Sequence, residues 1–417
     1  MQLKRAACLL LALVTLFVAT GCWDRRELEE TGFVLALGVD KGEQSRYAIT
    51  AMIAIPAKMA GGGKGGGGGG KDKPVLQTTV EAPTIAGAIS LIDSYLDRRV
   101  SLLHTKALFM AEDLARESGL NTMDEFVRFR QARRTIFYIV TKGKAAAFLK
   151  KMDVQQEKDP QRFIEQMTYN SRATAMIPAA SQIQQFVTSV NTGYTQPITY
   201  YAAIKDEGEA QAAVPKPEQV AAGDFAAGDL PRKGGPNLEL FGAAAFRRDR
   251  MVGVLTGEEV RYVLLLQDQF QRGYFNIADP RAPGKYVSLD VRRGRPMTIA
   301  VDLTGDRPRL DIVVSLEGEI LAMQPGIDYT EPEFQPRLEA AAAAEIRRGM
   351  RGLVQKTQEW NTDVIGFGSH VVRQFPTVAA WESFKWPEHY QDANVRVEVR
   401  MTLRRFGVQL SPPKAAR

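Results

Sequence analysis

Between Val287 and Leu316 the sequence alternates apolar and polar residues in three successive runs. Val287, Leu289 and Val291 share one face, then Ile299, Val301 and Leu303, then Leu310, Ile312, Val314 and Leu316. A period of two admits strands with one buried and one wetted face and little else. Half-exposed strands of this kind belong to antiparallel sheets rather than to the doubly covered parallel sheets of α/β folds. The buried faces need a cover, and the segment from about Pro332 to Trp360 supplies one. Leu338, Ala342, Ile346, Met350 and Leu353 recur there at helical spacing, on a helix roughly 40 Å long at about 1.5 Å per residue. A closing strand, Val395 to Leu403, turns Val395, Val397, Val399, Met401 and Leu403 inward and Arg396, Glu398, Arg400 and Arg404 outward. Upstream, Leu238–Leu255 reads as a hairpin turning at Arg247 to Arg250. Thr256 then stands before Glu258 and Glu259 as the N-terminal signal of a helix carrying Val260, Val263 and Leu264.

The first half is patterned differently. Phe33–Asp40 and Arg46–Pro56 are rich in β-branched and aromatic residues and predict a hairpin whose first strand is buried on both faces. A strand, VLQTTVEA, follows at Val75–Ala82. The helix that Thr84 opens after Pro83 runs to Arg98, with Ile85, Ala88, Ile89, Ile92 and Leu96 on its buried stripe. Thr105–Ala115 predicts a strand entering a short helix, Thr122–Arg133 a helix, Thr135–Thr141 a strand and Ala145–Met152 a helix. Helical segments near Phe163 and Ile183 carry the domain to about Tyr201. About 395 residues would remain after a leader, more than one core serves. The expected fold is α+β and multi-domain, with mixed or antiparallel sheets packed by helices and a long helix against an antiparallel sheet in the C-terminal domain. Residues 206–236, rich in Ala, Gly and Pro, read as a linker or long loop between domains at 22–205 and 237–417.

Catalytic signals are weak throughout. Residues 61–73 hold nine glycines around Lys64, and Gly65–Lys71 matches the start of a phosphate-binding loop. Asp72 stands where a Ser or Thr would ligate magnesium, and no helix start follows, so the stretch reads as a flexible Gly-rich loop between strands. His104, His370 and His389 lack metal spacing. Ser101 and His104 occur without a nucleophile motif. Gly366-Phe367-Gly368 follows a helix rather than a strand, which is wrong for dinucleotide binding and right for ending a helix. Trp381 and Trp386 could stack on a ligand but read first as packing. No cofactor or metal site is expected. The net charge of +6, two units of it from Lys4 and Arg5, is thin over 417 residues and does not suggest nucleic acid.

The N-terminus is explicit. Lys4 and Arg5 precede an apolar run, Ala6–Ala19, broken only by Thr15, and Thr20-Gly21 lead to Cys22. This is the layout of a signal peptide, residues 1–21, too short for comfortable spanning, which needs roughly 20 apolar residues. Ala-Thr-Gly-Cys resembles a lipobox, with Ala19 where Leu is usual. Cys22 would become the acylated N-terminal residue, and two acyl chains anchor stably where one binds reversibly. The other cysteine, Cys8, would leave with the leader, so no disulfide is expected.

Several ordered motifs carry a family resemblance: GCWDRREL at Gly21–Leu28, GFVLALGVDKG at Gly32–Gly42, LLHTKALFMAEDLAR at Leu102–Arg116, GAAAFRRDRMVGVL at Gly242–Leu255, and DVIGFG at Asp363–Gly368 before the tryptophan pair. The chain resembles the Ger(x)C family, the lipoprotein C subunits of spore nutrient germinant receptors. The resemblance implies a non-enzymatic subunit without a cofactor, anchored on the outer face of the spore inner membrane beside the integral membrane A and B subunits. Its one transferable functional residue is Cys22, the lipid-attachment position. The rival expectation is a solute-binding lipoprotein of a transporter, which would have two α/β lobes and a ligand cleft.

Overall fold

A computed structural model describes Arg5 and residues 30–54, 75–152, 160–205, 223–323, 328–329 and 331–405. Strands β1 (Thr31–Lys41) and β2 (Tyr47–Ala54) form the expected antiparallel hairpin, with β3 (Val75–Ala82) beside β2. Glu81 on β3 closes the hairpin turn by accepting the backbone N–H groups of Glu43, Gln44 and Ser45. These donors hold its carboxyl below the usual value. Helix α1 (Ile85–Asp93) is capped by the Thr84 hydroxyl, which accepts the Gly87 N–H, and it buries Ile85, Ala88, Ile89 and Ile92 as the spacing predicts.

Strands β4 (Arg99–Ser101) and β5 (Ala107–Ala111) run parallel to β1. Then come α2 (Glu112–Glu117), α3 (Leu120–Arg128), β6 (Phe137–Thr141), α4 (Ala145–Lys151), α5 (Pro160–Ala173), α6 (Ile183–Thr192) and β7 (Ile198–Ile204). The helical segments expected near Phe163 and Ile183 are α5 and α6, and the strand Ile198–Ile204 after them is buried from Thr199 to Ala203 and parallel to β6. Its β-branched and aromatic start, Ile-Thr-Tyr-Tyr, favours a strand over a helix. Strands β8 (Leu238–Arg247) and β9 (Arg250–Leu255) complete this sheet in the order β3-β2-β1-β5-β6-β7-β8-β9, with β4 on β1. The hairpin assigned from sequence to the C-terminal half is thus hydrogen-bonded antiparallel to β7, and the composition break at 206–236 lies between two neighbouring strands. Its described end is pinned: the carbonyls of Gly223 and Phe225 accept the N–H groups of Glu258 and Gly257. Those two residues open helix α7 (Gly257–Leu266), whose N-terminus carries a capping box between Thr256 and Glu259.

The second sheet holds β10 (Arg272–Ala278), β11 (Tyr286–Arg293), β12 (Thr298–Asp302), β13 (Arg309–Met323) and β14 (Asn394–Arg405). One flank of β13 takes β12 and then β11, both antiparallel, and the other takes β14 in parallel, so the sheet is mixed. Helix α8 (Gln335–Glu359) covers it through Leu338, Ala342, Ile346, Met350 and Leu353, the stripe read from sequence. Short helices α9 (Gly368–Val371), α10 (Val378–Phe384) and α11 (Trp386–Tyr390) precede β14.

On the outer side of this sheet Asp290, 1% exposed, sits between Arg272 and Arg292 at 2.7 and 3.1 Å. Burial raises its carboxyl, the two guanidinium groups lower it, and the balance lies below the ordinary value of 3.8. A depressed carboxyl stabilises the fold above its unfolded value, and that contribution disappears as pH falls through the folded one. Asp290→Asn should therefore lower stability at neutral pH by about 1–3 kcal/mol. It should also flatten the acid limb below about pH 4, as read by urea denaturation across pH. A variant with an unchanged acid limb would assign the acid loss to other carboxylates.

Candidate functional site

Cys22, the one position the sequence marks as functional, lies outside the described residues, as does the Gly-rich loop at 61–73. The structure does fix where the chain carrying Cys22 joins the fold. Just after Glu30, Thr31, Gly32 and Phe33 pair with Arg99, Val100 and Ser101 of β4. The parallel strands β1, β5 and β6 begin at this edge, and the loops that feed them gather there. The loop Leu102–Lys106 bulges between β4 and β5. It is tied down by the Thr105 hydroxyl, which donates to the Val34 carbonyl at 3.1 Å, and by the Lys106 N–H, which donates to the Leu35 carbonyl at 2.9 Å. The neighbouring loop joins it where the Phe137 N–H donates to the Lys106 carbonyl at 2.8 Å. The His104 ring meets the Phe33 ring edge-on at 4.8 Å, and the Ser101 hydroxyl accepts the Leu103 N–H. The two residues serve packing and a local turn.

Two of the motifs prove to be joints. Asp40, at the end of GFVLALGVD, accepts the N–H groups of Ala145 and Ala146 at 2.6 and 2.8 Å and so caps α4 from the end of β1. Its carboxyl is pushed up by burial against those two donors. In DVIGFG, Asp363 is buried and its two oxygens accept four donors. One takes the N–H groups of Gly366 and Phe367, at 2.8 and 3.0 Å. The other takes the Gly368 N–H and the Trp386 indole N–H, both at 2.8 Å. Gly366 adopts φ +85, and a Cβ on Gly368 would lie 2.4 Å from the Tyr194 carbonyl oxygen, so neither position accepts a side chain without movement. The same segment holds the first sheet: the Asp363 carbonyl accepts the Gln196 N–H at 2.8 Å, and the Thr362 hydroxyl donates to the Phe246 carbonyl. The segment that ends the long helix therefore clamps the two sheets together.

Trp386 is a buried part of that clamp, and Trp381 packs on Tyr194 and Phe375 with ring centroids 5.7 Å apart in each case. Sequence reasoning missed Arg261. This residue lies 1% exposed on α7, 2.7 Å from Glu258 and over the Phe275 ring at 4.6 Å. Its Nε and Nη2 have no hydrogen-bond partner among the described residues. Burial raises the Glu258 carboxyl and lowers the Arg261 guanidinium. The signal was the run Tyr262–Leu266 directly after it, since a helix apolar all round is buried and any charge within it is buried too.

The described residues hold no group of three His, Cys, Asp or Glu side chains able to hold a metal ion, and no helix long and apolar enough to cross a membrane. A cleft of about 210 Å³, lined by Ile85, Ala86, Leu102, Phe126 and Phe129 among others, is smaller than the roughly 300–1,000 Å³ of ordinary small-molecule sites.

With a sheet of parallel and antiparallel strands, a second mixed sheet under one long helix and a buried DVIGFG clamp in place, comparison with known proteins is decisive. The N-terminal domain of spore germination proteins matches residues 24–204, and the C-terminal region of spore germination B3/GerAC-like proteins matches residues 241–407. The chain belongs to this family. It is 26% identical to spore germination protein KC of Bacillus subtilis strain 168 over 420 residues, covering 98% of each protein. It is 22% identical to spore germination protein B3 of the same organism, covering 94% of this chain and 96% of that one. The crystal structure of the GerBC protein superposes with a TM-score of 0.51 at 16% identity, covering 88% of this chain and 96% of that chain, and shares its multi-domain α+β fold. The family resemblance of the sequence motifs is thereby established.

Proposed function

We propose that this protein is a lipid-anchored, non-enzymatic subunit of a spore nutrient germinant receptor, acting in receptor assembly or signalling on the outer face of the spore inner membrane. The observation that carries the reading is the match to spore germination proteins over both halves of the chain. In this reading Cys22 is acylated, and the body is held beside the integral membrane A and B subunits. Tethering raises its effective concentration near such partners without any new contact. The clamp at Asp363 would let the two sheets respond as one unit when nutrient binding shifts the receptor between states.

The test is nutrient-triggered germination of spores lacking this gene, complemented with the parent sequence or with Cys22→Ala. Loss of response in the deletion, rescue by the parent and poor rescue by Cys22→Ala at equal protein level support receptor role and anchor together. Full response in a strain from which the other germinant receptors have also been removed would sink the receptor reading.

A further inference from the structure

We propose that the cleft between α1 and α3 is the seat of Trp23, so that the residue next to Cys22 is folded back onto the body. The seat itself rests on the lining of the cleft and on the length of chain that reaches it. Its consequence for placement on the membrane rests on the anchor reading as well.

The cleft, of about 210 Å³, lies beside the point where the N-terminal segment joins the fold. Thr31, Gly32 and Phe33 pair with Arg99, Val100 and Ser101, and the next residue, Leu102, is one of its walls. Three residue steps along β4 and one strand across put that wall roughly 11 Å from Thr31. Trp23 stands eight steps before Thr31, a stretch that reaches at most about 29 Å, so it arrives with chain to spare for a turn. A side chain tied this close meets the cleft at an effective concentration on the order of millimolar, and a weak contact is enough to hold it there.

The lining selects an aromatic side chain with one polar end. Ile85, Leu102 and Phe126 are buried, Phe129 is half-buried and Ala86 is exposed, and Glu125 and Arg128 complete the lining. Glu125 accepts the Ile85 and Ala86 N–H groups through Oε2, and its Oε1 has no hydrogen-bond partner among the described residues. An indole N–H, a donor only, matches that oxygen. The Arg128 guanidinium pairs with Asp124 at 2.7 Å and can lie over an indole face while keeping that pair. Among residues 22–30 only Trp23 and Leu28 carry large apolar side chains, and Leu28 has no donor for Glu125. A cleft below the size of ordinary small-molecule sites suits a single anchoring aromatic.

Cys22 is one residue from Trp23, a Cα separation of about 3.8 Å. Seating Trp23 therefore brings the acylation point to α1 and α3. In the anchor reading this end of the first sheet then faces the bilayer, and the body has one orientation on it.

The test uses the chain from residue 22 onward with Cys22→Ser, which keeps every strand and helix named above. Labelled with 5-fluorotryptophan, it gives one fluorine signal each for Trp23, Trp360, Trp381 and Trp386, and Trp23→Phe identifies that of Trp23. This signal should be shifted from that of a free peptide of residues 22–30. It should also resist broadening by a soluble nitroxide, as the signals of buried Trp381 and Trp386 do. Ala86→Gln crowds the cleft from the exposed side of α1, and Phe129→Ala removes a half-buried part of its wall. Each should return the Trp23 signal to the free-peptide position while the other three stay in place, which reports an intact fold. A Trp23 signal at the free-peptide position in the parent chain overturns the seat. So does a shifted signal that ignores both cleft variants, since Trp23 would then be held elsewhere. Acylation is read separately, from the mass of the N-terminal peptide of the protein extracted from spore membranes. An unmodified Cys22 with a seated Trp23 removes the anchor reading alone, whereas an acylated Cys22 with a free Trp23 removes the seat alone.

Discussion

Asp363→Ala should destabilise the protein by about 4–6 kcal/mol, close to the whole stability of many domains. Three backbone N–H groups and one indole N–H end on this carboxylate, all buried but the Gly366 N–H, which is half-buried. A buried donor left without a partner costs about 1–3 kcal/mol, more where the lost acceptor was charged. Asp363→Asn keeps the shape but sets an amide NH₂ against two of the four donors, so it should fall between the parent and the alanine variant. Urea denaturation of the three proteins gives the order. A loss below about 1 kcal/mol for the alanine variant would mean that water replaces the carboxylate, a cheap substitution only in a site open enough to admit it. Because the Asp363 carbonyl also holds Gln196, the loss should appear as looser association of the sheets and not only as a lower midpoint.

A chain that stops at Lys205 should fail to fold, although the N-terminal family match ends at residue 204. Strand β7 would become an edge, with the row of backbone groups that normally meets β8 left bare. Phe246 would be missing from the cluster it forms with Tyr138 and Phe186, whose ring centroids lie 6.0 and 5.0 Å from its own. Buried aromatic residues lost from a core cost about 3–5 kcal/mol each. Extending the chain to Leu255 restores β8, β9 and that cluster. Size-exclusion chromatography and thermal melts should show the shorter chain aggregated and without a cooperative transition, and the longer one improved in both. An equally soluble, cooperatively melting short chain would show that the first sheet does not need its last hairpin.

The elements that were legible are those in which burial is written as a period. The stripe of α8, the inward residues of β11, β13 and β14, and the caps at Thr84 and Thr256 follow from local spacing and from hydroxyls placed before a helix. The partner of the β8–β9 hairpin was not legible. Its own sequence demands a hairpin, but which strand it joins depends on register with β7, more than thirty residues upstream across a composition break. Strand β10 was overlooked for a related reason: Arg272, Tyr274 and Asn276 face outward, leaving Phe275 and Ile277 too short a signal. Asp40 and Asp363 could be named as motif residues, yet no periodicity announces that a buried acid will meet backbone donors.

The parallel pairing of β13 with β14 sets an order of assembly. All strands of the first sheet have been synthesised by Leu255, whereas the second sheet lacks a flank until the final strand arrives. Even the first turn of α8 waits for it: Gln335 donates to the Leu403 carbonyl and Glu339 accepts the Leu403 N–H, each at 2.7 Å. During synthesis the flank of β13 that meets β14 therefore stays unpaired while the segment between α8 and β14 is made, and an open strand edge of this kind is where a nascent chain is prone to misassociate. A chain that stops before Asn394 would carry a complete first sheet and a second one open along β13.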